Sequence, residues 1–482
     1  MLKPTIGLEI HAQVKTKAKM FCSCSNLSKK ADANTKVCPV CLGYPGALPT
    51  INKKAVKKVI RAGKALDCDI ADFSRFDRKN YFYPDLPKGY QISQLNYPLC
   101  ENGKLVINGK EIGITRIHLE EDTGSLIHED GVSLVDFNRS GVPLMELVTE
   151  PDIKSGKQAR DFAEELRLIL RYLEVSDADM EKGQMRVEVN ISLSEESEKL
   201  GTKVEIKNLN SFKVVEQAVD YEIKRQKKLI NSGKKVKQET RGWREDSQKT
   251  VSQRAKEEAH DYRYFPEPDL PPLDLNEEPL KKDKITLGSE LPQNRRERFK
   301  EEYGLDEELF VVDKALGDYT EKVISEGLNW LKNKKDKVTK EEELEFISLC
   351  SNYILSDLQG LLDGSSVVDD DFKITPENFG ELITLVFIDE ISSKIAKKVL
   401  KEMFKTGGDP SQIIKEKDLA QVKDESKLKG IIEEVLKENE SAVEDLKSGK
   451  SEAKQFLVGQ VMAKTRGKAD PKAVNRILEE RF

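Results

Sequence analysis

Hydrophobic and polar positions change rhythm once along this chain. Over residues 1–290, short apolar–polar alternations recur, as in residues 5–14, 113–119 and 203–206, with Gly, Pro and Asn turns between them. A two-residue period is that of a half-buried strand. Two stretches follow the helical period instead. Ala159, Phe162, Leu166, Ile169 and Leu173 form one apolar stripe, and Val215, Val219, Ile223 and Ile230 form another that stops at Asn231-Ser232-Gly233. Beyond the proline-rich segment 266–272 the alternation fades, and after Leu291-Pro292 helical patterns rich in Lys, Glu and Leu run to the end. The pattern predicts an α+β fold: a mixed-sheet domain over 1–290, then helical modules over 291–408 and 409–482. Gly407-Gly408-Asp409-Pro410 reads as the hinge between the two modules. No solenoid repeat is evident.

Size and charge narrow the reading. At 482 residues the chain is too long for a single core. Its 38% hydrophobic and 34% charged content is highly charged but still globular. A net charge of −6 gives no global basic field, so any nucleic-acid contact must come from local patches. Runs of about 18 apolar residues are missing, which argues against a membrane span. The start, MLKPTIGLEI, lacks a signal-peptide pattern. The expectation is a cytoplasmic protein with no membrane partner, where clustered cysteines more often bind metal than pair with each other.

Such a cluster is present. Cys22 and Cys24 precede Cys38 and Cys41 in the spacing C-x-C–x13–C-x-x-C. Tetrahedral Zn²⁺ wants four thiolate or imidazole ligands, and two close pairs supply them over the knuckle 22–41. Four thiolates leave no open position, so the site reads as structural. An Fe–S cluster fits the spacing less well, and metal-free thiols are the plain alternative. Cys68, Cys100 and Cys350 stand alone and read as small buried hydrophobes.

A second constellation is acidic. Glu9 and His11 are two apart on a predicted strand and project from one face. Glu120-Glu121-Asp122 follows another strand-like run, and Glu146 and Glu150 lie on or after a third. Carboxylates with one imidazole suit Mg²⁺, which usually binds substrate phosphates as well. A lone Glu is ordinarily a solvated surface group, so only convergence in space gives these residues meaning. The third constellation is residues 76–91, where Arg78, Lys79 and Lys88 could hold phosphates and Tyr81 or Tyr83 could stack on bases. Its plain alternative is a turn-rich surface loop. Gly449-Lys450-Ser451 ends like a phosphate-binding loop, but Glu444 occupies the first glycine position. No dinucleotide fingerprint or serine-hydrolase elbow stands out. With only four histidines, and His118, His128 and His260 spread apart, a Ser-His-Asp hydrolase is not indicated.

The chain resembles the GatB/GatE family of tRNA-dependent amidotransferase subunits. The resemblance is carried by residues 7–11, 38–49, 76–94, 113–124, 133–152, 201–212 and 257–272, and in the tail by 392–397 and 456–462. It implies a reaction in which ATP phosphorylates the side-chain carboxylate of Glu on tRNA(Gln), or of Asp on tRNA(Asn), and ammonia then displaces the phosphate. It implies Mg²⁺ and phosphoryl-transfer roles for Glu9, His11, Glu146 and one of Glu120 and Glu121, with Glu121 favoured and Glu150 in reserve. Lys79, Tyr81 and Lys88 match the cradle around ATP and the tRNA end, and the four cysteines match a zinc site. The implied partners are an amidase subunit that supplies ammonia, a small subunit that completes a heterotrimer, and the misacylated tRNA. Residues 409–482 resemble a YqeY-like module in which Lys464, Arg466, Lys468 and Lys472 would meet phosphates.

One departure is visible, with Val187 and Glu188 where relatives commonly have Cys and Asp, and Glu188 receives no role. The glutamyl-specific archaeal paralogue carries an inserted domain that this chain lacks. A non-catalytic zinc-knuckle RNA-binding protein is the alternative of a different class, and it would leave the carboxylates no reason to converge.

Overall fold

The strand Lys3–Gln13 organises the first part of the molecule. Ile6, Leu8, Ile10 and Ala12 are at most 1% exposed, while Gly7, Glu9, His11 and Gln13 alternate with them on the other face. The structure is a computed structural model and describes residues 2–26, 31–195, 199–255, 261–419, 425–448, 450–465 and 468–482. The chain divides into two compact units, Met1–Pro292 and Gln293–Phe482. The expected α+β class holds, with strands concentrated in the first unit and helices filling the second.

Among the described residues, nine strands form one sheet in the first unit. Lys3–Gln13 is central, between Pro143–Thr149 and Met185–Ser194, antiparallel to both. On one side the sheet continues through Lys110–Glu121 and Cys100–Ile107 to Asp69–Ile70, and on the other through Val204–Leu209 and Glu239–Arg244 to Lys249–Ala255. Val204–Leu209 and Glu239–Arg244 run parallel. A parallel pair needs a long crossover, and the helix Phe212–Asn231 lies between them in the chain.

Three helices share one core with the apolar residues of the sheet. Gly156–Tyr172 and Phe212–Asn231 realise the two predicted stripes, capped by Ser155 and Ser211 side chains that accept from Gln158 N and Val214 N. Lys53–Ala65 is a third helix beyond those two stripes, although Ala55, Val56, Val59 and Ile60 carry the helical spacing and Asn52 caps it. The common core includes Ile10, Val59, Phe162, Leu166 and Val219. Burial of each such side chain contributes about 1.5–3 kcal/mol.

In residues 76–94 the structure forms a hairpin rather than a loop. Asp77–Asn80 pairs with Tyr90–Ser93, and Phe265–Pro266 adds a third strand. Cys100 and Cys350 are fully buried and Cys68 is partly buried, in line with their reading as small hydrophobes.

The helix Pro292–Arg298 starts at the last residue of the first unit and opens the helical run of the second. One core gathers Phe310, Val323, Phe346, Phe379, Val399 and Ile413, and another gathers Leu428, Ile432, Leu457, Val461, Val474 and Ile477. At residues 407–410 the chain does turn: Gly407 (φ 73°) ends the helix Ser393–Thr406, and Asp409 caps Pro410–Glu416. Ile413 and Ile414 of that short helix belong to the first of these two cores. Among the described residues, no helix is long and apolar enough to cross a membrane.

Ile10→Ala is expected to destabilise the first unit by about 2–5 kcal/mol, because a fully buried side chain leaves a cavity behind it. A fall in the denaturant midpoint at unchanged slope would show it.

Candidate functional site

The polar face of the sheet is where the separate carboxylates meet. Strand pairing sets His11 opposite Glu146, and Glu146 opposite His118, in one row across three strands. On the other side, Glu9 stands opposite Glu188 and His11 opposite Arg186. Residues two apart on a strand share a face, so Glu9 joins His11 and Glu120 joins His118. His11 Nε2 lies 3.2 Å from Glu146 Oε2 and 3.4 Å from Glu120 Oε1. His118 Nε2 lies 3.6 Å from the same Glu146 oxygen. Glu120, Glu146 and His118 are 2%, 7% and 3% exposed.

The electrostatics follow from this crowding. Burial pushes the Glu9 carboxyl up to about 7, and the neighbouring Glu146 and Glu188 add to the effect. Burial opposes charge on His11, but hydrogen bonds to Glu120 and Glu146 win and raise it to about 10. His118, fully buried, is held below its ordinary value by desolvation. Burial also opposes the Glu146 charge, yet the two imidazoles and Lys79 hold that carboxyl below the usual range. Lys79 is raised against desolvation by Glu120, Tyr264 and Glu146.

Cations frame the acidic centre. Arg116 Nη2 lies 3.5 Å from Glu146 Oε1, and Lys207 bonds Glu188 at 2.7 Å. Arg186 bonds Asp122 at 2.8 Å, and Gln13 donates to the same carboxylate at 3.0 Å.

Two ligand sets emerge, Glu9–His11–Glu146 and His118–Glu120–Glu146, each with ligand atoms within 4.8 Å of one another. Ligands about 2.1 Å from an octahedral cation stand about 3.0–4.2 Å apart. The 3.2 and 3.4 Å separations around His11 therefore fit such an ion. His118 Nδ1 is buried without a hydrogen-bond partner, so its ring is not held by a second bond.

Glu120, not Glu121, completes this group. Alternation turns Glu121 the other way, where it pairs with Lys88 and accepts from Ile92 N at 3.0 Å. Glu150 is also elsewhere, exposed just past the strand Pro143–Thr149, where it accepts from Thr115 Oγ1 at 2.7 Å. His118 is an addition to the sequence-predicted set, though its position two before Glu120 repeats the Glu9–His11 pattern. Lys79 stands on the Asp77–Asn80 strand, its Nζ 5.0 Å from the Tyr262 ring centroid. Tyr81 stacks on Tyr83 at 5.8 Å and meets Tyr262 edge-on at 6.2 Å. Tyr262 and Tyr264 are further additions, and the Asn80 side-chain amide donates to the Tyr262 carbonyl at 3.2 Å. His260 lies outside the described residues.

The four cysteines also converge, with Cys22, Cys24, Cys38 and Cys41 sulfurs all within 4.8 Å of one another. Zinc–thiolate bonds of about 2.3 Å set sulfurs about 3.8 Å apart in a tetrahedron. Cys38 and Cys41 sulfurs are 3.9 Å apart, which fits. A hydrogen bond from Cys22 lowers the Cys41 thiol to about 4, while Cys22 itself is pushed up.

The knuckle is tied to other segments of the first unit. Asn34 donates to Val135 O and Asp136 Oδ1 at 2.9 and 3.0 Å, and Lys36 N to Asn138 Oδ1 at 2.7 Å. A Cβ on Gly43 would stand 2.5 Å from Lys88 Cγ, so the knuckle packs directly on the lysine that meets Glu121.

The basic tail residues are partly engaged within their own unit. Lys464 pairs with Glu434 and Glu438 at 3.1 and 2.6 Å, and Lys468 with Asp418 at 2.6 Å. Lys472 is exposed, and Arg466 lies outside the described residues.

A carboxylate–imidazole face on a mixed sheet, a thiolate knuckle at its rim and a helical second unit define a class, and the chain belongs to the GatB/GatE family. Residues 4–281 match the model described as the GatB/GatE catalytic domain, and residues 316–482 match the GatB domain. The chain is 48% identical to the B subunit of the aspartyl/glutamyl-tRNA(Asn/Gln) amidotransferase of Persephonella marina, over 99% of both chains. The counterpart from Caldanaerobacter subterraneus is 48% identical over 98% of each, and that from Thermotoga maritima 46% identical over 99% of this chain and 98% of its own.

For a zinc ion held by the four sulfurs, Cys38→Ser is expected to lower both zinc uptake and thermal stability, because metal binding and folding of a knuckle are coupled. Metal analysis beside a melting curve reads both quantities. Intact zinc content would remove Cys38 from the ligand set.

Proposed function

We propose that this chain is the ATP-using, amide-forming subunit of a glutamine-hydrolysing, tRNA-dependent amidotransferase. Its substrates are Glu on tRNA(Gln), Asp on tRNA(Asn), or both. A carboxylate oxygen of the misattached residue attacks the γ-phosphorus of ATP, and ADP leaves. Ammonia then attacks the acyl carbon, the C–O bond to phosphate breaks, and the amide remains. Phosphorylation is needed because a carboxylate oxygen is a poor leaving group. The observation that carries this reading is the meeting of Glu9, His11, Glu120 and Glu146 from three separate strands.

In this reading Glu9, His11, Glu120 and Glu146, with His118 beside them, hold Mg²⁺. Bound there, the cation would offset charge developing on the transferred phosphoryl group. The chain's own groups do the rest. Lys79, Arg116 and Arg186 supply cations around the acidic centre and suit the triphosphate and tRNA phosphates. The cluster of Tyr81, Tyr83 and Tyr262 offers ring faces on which unpaired bases of a tRNA end can stack. Lys88 is tied to Glu121, so we place it in the wall of the cradle.

Zn²⁺ on the four cysteines is assigned a structural role. We divide the work as a catalytic cradle over 1–290, a helical domain from 291 and a tRNA-contacting tail; the division expected at 408/409 moves past the short helix Pro410–Glu416, because its Ile413 and Ile414 pack in the helical domain's core. Because Lys464 and Lys468 have acidic partners, Lys472 is the better candidate for a phosphate contact there. The remaining partners are an amidase subunit serving as the ammonia source and a further small subunit, in a cytoplasmic heterotrimer.

Glu120→Gln and Glu146→Gln, each in the purified complex, are expected to lower amide formation on charged tRNA by at least about 100-fold while tRNA binding persists. Turnover at the wild-type rate in either variant would remove that residue from the site, and in both would refute the reading.

A further inference from the structure

Lys19 is only 1% exposed and is among the largest fully buried side chains in the molecule. Removing an ammonium from water costs several kcal/mol unless its new partners compensate. Among the described residues no carboxylate pairs with it. Its Nζ donates instead to Cys41 Sγ at 3.7 Å and to Phe137 O at 3.4 Å. The backbone repeats the link, since Lys19 N donates to Cys24 O at 2.9 Å. Glu121 is close by: a Cβ on Gly141 would lie 3.5 Å from Lys19 Cδ, 3.5 Å from Cys41 Cβ and 3.9 Å from Glu121 Oε2. That carboxylate is committed to Lys88.

A buried cation facing sulfur has a chemical explanation. Four thiolates around one divalent cation keep a surplus of two negative charges. A half-buried cluster carrying that surplus is poorly solvated and loses ligands readily unless hydrogen-bond donors or cations offset it.

We propose that Lys19 is a positioning residue for a metal centre of Cys22, Cys24, Cys38 and Cys41, offsetting the surplus thiolate charge and fixing the Cys41 sulfur through an N–H···S bond. The proposal rests on the zinc reading of the cysteines and goes beyond it by naming what retains the metal. Through Phe137 O the same ammonium holds the segment that follows the hairpin Ser125–Glu129/Val132–Asp136, so one side chain joins the cluster to that segment.

The test uses the full chain loaded with Co²⁺ in place of zinc. Lys19→Met is expected to hold metal about 10–100-fold more weakly than wild type, the usual effect of losing an outer-shell partner, and to release it to a chelator correspondingly faster. Its sulfur-to-cobalt charge-transfer band is expected to move to lower energy. Lys19→Gln can still donate to Phe137 O but lacks the charge, so it decides the matter should Lys19→Met fail to fold. Release and band position equal to wild type in the folded variant would overturn the proposal. Faster release with an unmoved band would also overturn it, since that marks a packing role alone. A wild-type chain that takes up neither cobalt nor zinc overturns the zinc reading itself, and this proposal with it.

Discussion

The register of the central strand is the constraint on which the rest depends. Ile6, Leu8, Ile10 and Ala12 anchor one face of Lys3–Gln13 in the core, which leaves Glu9 and His11 on the other. A slip of one residue would exchange the two faces. It would turn Glu9 and His11 into hydrocarbon and four apolar side chains out of it, at a cost comparable with the whole stability of a typical domain. The hydrophobic core thereby fixes the chemistry on the opposite side of the sheet. Glu146 and His118 are placed by the same rule on their own strands, and the antiparallel ladder aligns them with His11.

The thiolate knuckle extends this order to parts of the wall that lack a core of their own. The hairpin Ser125–Glu129/Val132–Asp136 is two-stranded, and Ile127, Val132 and Leu134 on it are at least 52% exposed. Such a hairpin is marginal alone. Its base is tied to the knuckle by Asn34 and Asn138 side chains. Gly43 brings the knuckle against Lys88 on the other side.

Much of this is legible in the sequence, and the remainder has identifiable physical reasons for being hidden. Glu9 and His11 can be read as a pair because alternation within one strand is a local property. The cysteine knuckle can be read because its spacing is local too. Glu120 against Glu121 is not settled by composition or resemblance, since the choice depends on which face of Lys110–Glu121 meets a strand more than twenty residues further on. The alternation His118–Glu120 holds that answer, but only if His118 is weighed together with the carboxylate rather than as a lone histidine. The helix Lys53–Ala65 escapes the sequence reading although its cap and stripe are both present. Tyr262 reaches the site only because Phe265–Pro266 pairs with Asp77–Asn80 across nearly two hundred residues, and no local pattern encodes that.

The ring of cations around the acidic centre has a thermodynamic consequence. Arg116, Arg186 and Lys207 each already face a carboxylate, on Glu146, Asp122 and Glu188. Lys79 aside, an anionic guest at these cations therefore cannot simply add to free positive charge. It must trade places with an internal carboxylate, so its affinity is the small difference between two large pairing energies. Sites built this way discriminate sharply among anions of different size and charge, because a guest that breaks an internal pair without replacing it fully gains nothing.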